Sequence, residues 1–107
     1  MDGLIQLFKY VVTGEYRAVS QWLDEHDYLV HVRNPDLSAW DEQTLLHSAA
    51  KHGQQNVVRL LVDRGAEVYS NPMASYPAII VAAWNEQPDI VDFFSKRFPS
   101  LHMAPTA

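Results

Sequence analysis

Between Thr44 and Val68 the chain reads as two short apolar stripes, each closed by a glycine, and that punctuation leaves few folds open. Leu45, Leu46, Ala49 and Ala50 fall at helical spacing behind Thr44, a residue able to cap an N-terminus. Gly53 follows, and glycine enters the left-handed conformation that ends a helix at little cost. Val57, Val58, Leu61 and Val62 make the second stripe, and Gly65 closes it in turn. The pattern predicts two short helices joined by a tight turn.

The same order returns further along the chain. Ala49-Ala50 recurs as Ala82-Ala83, Val57-Val58 as Ile90-Val91 and Leu60-Leu61 as Phe93-Phe94, each 33 residues on. This copy is degenerate, with Glu86 at the first glycine position and Phe98 at the second. Pro88 falls near the start of its second helix, where a missing N–H costs nothing, and Pro99 is expected to stop that helix. A weaker copy precedes the central one: Leu4, Leu7, Phe8 and Val11 make a stripe, Gly14 matches Gly53, and Val19, Trp22 and Leu23 match Val58, Leu61 and Val62. The step there is 39 residues, so six extra residues fall within Asp27 to Ala39, around the turn-like Asn34-Pro35-Asp36.

The run Thr44-Leu45-Leu46-His47-Ser48-Ala49-Ala50-Lys51-His52-Gly53, followed by Val57-Val58, Leu60-Leu61 and Gly65-Ala66-Glu67-Val68, resembles the ankyrin repeat. A period of 33 residues is that family's own. Leu45 stands where the family has proline, Glu67 where it has aspartate and Tyr69 where it has asparagine. The resemblance implies an all-α solenoid of three stacked helix-turn-helix units joined by hairpin-like loops. Its expected repeats run over about 2–33, 40–72 and 73–101, with an acidic inserted loop at about 27–39 and a tail at 99–107. It further implies a protein-binding scaffold whose inner helices and hairpins form a concave contact face.

On that register the partner-binding positions are Lys51 and His52 in the middle repeat, with Trp40, Asp41 and Gln43 in its hairpin. Their equivalents in the third repeat are Trp84 and Asn85, with Met73, Ala74 and Tyr76, and Val12 and Thr13 fill the inner-helix pair of the first. Aromatics and methionine are enriched at interface hot spots, but the same aromatics could instead pack on neighbouring repeats. Six acids between Asp24 and Glu42 (Asp24, Glu25, Asp27, Asp36, Asp41, Glu42) face one base, Arg33. They would either steer a basic partner or serve as a solvated loop.

Other functions find no footing. A net charge of −5 lacks the basic face that nucleic acid or an anionic membrane requires. The chain has no cysteine, which removes disulfides and thiolate metal sites and suits an intracellular, cytoplasmic or nuclear setting. The longest apolar run, Ala78 to Trp84, is too short to cross a bilayer, and the N-terminal residues lack a secretory signal's basic region. His26 and His31, like His47 and His52, are five apart and off one helix face. In the family the motif histidine is structural, so His47 is expected to be so here. No phosphate loop or nucleophile elbow appears, and no cofactor or enzymatic activity is expected. Ile90, Val91, Phe93, Phe94, Phe98, Leu101 and Met103 at one end, and Leu4 to Val12 at the other, leave little polar surface. They suggest a piece of a longer protein, a homodimer, or further repeats docked through the terminal helices.

Since about three such units are needed to bury a continuous core, removal of residues 73–107 should abolish cooperative thermal unfolding. Far-ultraviolet circular dichroism checks this: a sharp transition in the truncated chain would mean that two units suffice.

Overall fold

The computed structural model describes residues 2–32, 44–66, 68 and 77–98. Among them are six α-helices: α1 (Asp2–Thr13), α2 (Tyr16–Glu25), α3 (Leu45–Lys51), α4 (Gln55–Asp63), α5 (Ala78–Trp84) and α6 (Pro88–Arg97). A 3₁₀ turn at Asp27–His31 lies between α2 and α3. Each odd-numbered helix pairs with the one that follows it, α3 packs between α1 and α5, and α4 packs against both α2 and α6. Three helix pairs therefore stack in a row, with α1, α3 and α5 as one layer and α2, α4 and α6 as the other. This is the expected all-α stack. The side chain of Leu4, the hairpin residues and Pro99 with the tail lie outside the described residues.

Helices α3 and α5 have only seven residues each, too few to persist alone in water. Burial supports them: every side chain from Leu45 to Ala50 is buried, as are Ala78, Ile79, Val81 and Ala82. Ala49, Ala50 and Ala82 take little room, which lets the inner helices approach closely. Thr44 caps α3 as its sequence position predicts, accepting the His47 N–H at 3.3 Å. Between the layers, Leu7 and Val11 of α1, Val19 and Leu23 of α2, Val57, Val58 and Leu61 of α4, and Ile90 and Phe94 of α6 complete one continuous core.

Four helices end in the same way. The N–H of Glu15, Gln54, Ala66 and Gln87 returns to the carbonyl of Tyr10, Ala49, Leu61 and Ala82 respectively, at 2.9–3.0 Å. A second bond closes each turn one residue inside it, and the turn residue is left-handed: Gly14, Gly53 and Gly65 have φ of 76°, 71° and 90°, and Glu86 has 56°. The degenerate third repeat has thus kept the backbone of the turn while losing its glycine. Helix α6 ends differently, on Phe98 with φ −131°. That side chain is half-buried and packs on the core.

At two of these turns glycine has a further reason. Gln54 reaches back from the second repeat and donates from Nε2 to the Val12 carbonyl at 2.7 Å. Gln87 of the third repeat does the same to the Lys51 carbonyl at 3.0 Å. A Cβ built on Gly14 would lie 2.5 Å from the Gln54 amide oxygen, and one on Gly53 would lie 2.5 Å from that of Gln87. Each glycine is the space through which the next repeat's amide reaches its carbonyl.

A second bond type joins neighbouring repeats along the outer layer. Arg64 donates to Asp24 at 2.6 Å and to the Ser20 hydroxyl at 3.3 Å, and Arg97 donates to Asp63 at 3.1 Å. Asp24 therefore belongs to this ladder, not to a free acidic edge. The first five residues of the expected inserted loop also do more than fill a gap. They form the 3₁₀ turn, which buries Leu29 and Val30 against the core.

Gly53→Ala should destabilise the fold by about 2 kcal/mol, combining left-handed strain with loss of the Gln87 clasp. Glu86→Gly should stabilise it by about 0.5–1 kcal/mol, because left-handed strain exceeds glycine's entropic cost. Urea unfolding of the two variants checks both signs.

Candidate partner-binding face

The last turns of α1, α3 and α5 place equivalent pairs side by side: Val12-Thr13, Lys51-His52 and Trp84-Asn85. The second member of each pair turns its side chain back on its own helix. Thr13 Oγ1 donates to the Lys9 carbonyl at 3.0 Å, His52 Nδ1 sits 3.1 Å from the Ser48 carbonyl, and Asn85 Nδ2 donates to the Val81 carbonyl at 2.9 Å. A carbonyl can only accept, so the His52 bond holds the proton on Nδ1. The Ser48 and Val81 carbonyls also accept the backbone N–H of His52 and Asn85, both at 3.1 Å, so each side chain adds a second bond to a carbonyl that is already paired. His52 and Asn85 thus reinforce the last turns of their own helices, which the sequence did not disclose.

The first member of each pair differs more between repeats. Val12 and Lys51 are half-buried, and their carbonyls take the glutamine clasps. Trp84 is 54 % exposed at the end of a helix whose other side is closed. Of the expected contact residues, Lys51, His52, Trp84 and Asn85 are thereby brought to one rim of the stack. Trp40, Asp41, Gln43, Met73, Ala74 and Tyr76 lie outside the described residues.

His47 is buried, with Nδ1 2.7 Å from the Thr44 hydroxyl. The ring and the helix cap therefore brace one another, a structural role in keeping with the sequence expectation. Among the described residues no three histidine or carboxylate side chains gather as metal ligands would.

The outer layer offers a different surface. A shallow cleft of about 370 Å³ runs between α4 and α6, lined by Gln55, Arg59, Asp89, Phe93 and Lys96 among others. Arg59 lies over the Phe93 ring at 5.2 Å and Arg97 at 6.0 Å, while Lys96 pairs with Asp92 at 3.1 Å. Three bases and two acids line the cleft, and Lys96 and Arg97 already pair with Asp92 and Asp63. The glutamine clasps and the arginine ladder went unread in the sequence. Their signal was there, since Gln54 and Gln87, and Arg64 and Arg97, recur at the repeat period.

The family model for ankyrin repeats, in three copies, matches residues 7–102. The chain belongs to the ankyrin-repeat family. Neither the curated proteins nor the solved structures offer a significant match. Ankyrin repeats are in general protein–protein interaction modules and typically not enzymes. No helix among the described residues is long and apolar enough to cross a membrane.

Because His52 and Asn85 each add a second bond to the end of their own helix, changing either to alanine should lower stability by about 0.5 kcal/mol. Thermal melts of the single variants check this, and unchanged midpoints would mean that the two side chains add nothing to the helix ends.

Proposed function

We propose that this chain is a binding module that holds a partner protein against the rim formed by the inner-helix ends and the hairpins. Trp84 carries the reading. An indole left more than half open at the end of a helix that buries Ala78, Ile79, Val81 and Ala82 gains more from a partner's surface than from water. Lys51 lies at the equivalent position of the next repeat and adds a positive charge beside it. Trp40, Asp41, Gln43, Met73 and Tyr76 would extend the contact along the hairpins, with His52 and Asn85 contributing from their capped positions. The partner is a protein surface, in line with the general role of ankyrin repeats as protein–protein interaction modules. An acidic, cysteine-free chain of this kind suits the cytoplasm or nucleus.

A second reading is favoured by Ile5, 46 % exposed on α1, and by the half-buried Ala83 and Val91 at the far end of the stack. On it the chain is a spacer or capping segment that meets its neighbours, or a second copy, only through its end faces.

Retention from lysate by the wild type and by a Trp40/Tyr76/Trp84 triple-alanine variant separates the two. The binding reading expects a protein held by the wild type and lost at least tenfold by the variant, with equal helical content in both chains. A protein held equally by both would refute the rim as the contact surface.

A further inference from the structure

The two junctions inside the stack are built alike although the chain between them differs in length. The clasps join residues 42 and 36 apart in sequence, and the arginine ladder joins residues 40 and 34 apart. Both pairs differ by the six residues of the insertion, so the same four positions make each junction. One repeat contributes a left-handed glycine and an outer-helix aspartate, and the next contributes a glutamine and an arginine. At the two free ends none of these four is present. The first repeat has Glu15 where Gln54 and Gln87 stand, and Glu25 where Arg64 and Arg97 stand. The third repeat has Glu86 where Gly14 and Gly53 stand, and Lys96 where Asp24 and Asp63 stand.

We infer that Glu15 and Glu86 close the two end faces of the stack against a further repeat of this kind, including a second copy of this chain docking head to tail. The opposition combines a forfeited clasp with like charge: a Cβ at the turn pushes the mobile end of the incoming side chain off its carbonyl without barring the helices themselves. A Cβ at Gly53 would lie 2.5 Å from the incoming amide oxygen, and Glu86, left-handed like Gly53, carries that Cβ already. In a head-to-tail pair the incoming side chain would be Glu15, whose carboxylate has no hydrogen to donate to the Trp84 carbonyl and would meet the Glu86 carboxylate. The ladder does not oppose the pairing: Glu25 would face Lys96, the usual contact with its charges exchanged. Lys96 now pairs loosely with Asp92 across 3.1 Å of exposed helix surface, which leaves it able to change partner. The barrier therefore sits at the clasp.

The end face itself is otherwise ready for a neighbour. Ala50, Val58 and Val62, which the third repeat covers, correspond to Ala83, Val91 and Ser95, of which the first two are half-buried and the last exposed. With Glu86, Gln87, Pro88 and Asp92 they line a groove of about 580 Å³. The charged residue at the glycine position keeps that groove from accepting another repeat.

Light scattering coupled to gel filtration tests the inference on the full chain and on single variants, each checked to be folded by a cooperative thermal melt. The wild type, Glu15→Gln alone and Glu86→Gly alone should each run as a 12.2 kDa monomer. An equimolar mixture of the two variants should give a one-to-one dimer, since one partner now supplies the amide and the other the gap. The Glu15→Gln/Glu86→Gly double variant should form chains whose length grows with concentration. Adding Lys96→Glu, which sets two carboxylates opposite one another, should weaken that association by about five- to tenfold. A mixture that stays monomeric with both variants folded would overturn the inference, as would a wild type already associated head to tail.

Discussion

Seven residues of helix do not hold together in water, and the inner layer of this protein contains two such helices. Their backbone order comes from being enclosed: α3 has buried side chains at every position from Leu45 to Ala50 because helices stand on both sides of it and behind it. Stability in this stack therefore belongs to junctions between repeats more than to repeats themselves. The left-handed turn, the glutamine clasp and the arginine ladder all act at those junctions. The hydrophobic contact between alanine-rich inner helices is non-directional, whereas the clasp is directional and fixes how far one repeat slides on the next.

Because the junctions rest on so few positions, the chain between them is free to vary. The six-residue insertion leaves the second junction's geometry reproduced in the first, with clasps of 2.7 and 3.0 Å. The insertion's opening residues even add to the core through Leu29 and Val30. The same economy explains the third repeat. Glu86 holds the left-handed backbone without glycine, at the cost of a modest strain in φ.

On the proposed function, the rim and the ends of the stack do different things. At the rim, His52 and Asn85 bond back to their own helices, and Trp84 is 54 % exposed. At the ends, charges stand where the interior has an amide and a glycine.

The amino-acid order determined the repeat itself. Thr44, the alanine pairs and the glycines are short-range signals: each acts on its own turn of backbone, so each could be read without knowing what lies across from it. The family, the helix pairs and the helix ends marked by Gly14, Gly53 and Gly65 were legible on that basis, while a structural role for His47 came from the family resemblance. The neighbours decided the rest. That Gln54 meets Val12, that Arg64 meets Asp24, that Leu29 and Val30 leave the inserted loop for the core, and that Trp84 stays exposed depend on residues up to 42 apart. A hydrogen bond or an exposed indole is a property of two surfaces at once, and only stacking brings the second surface into place.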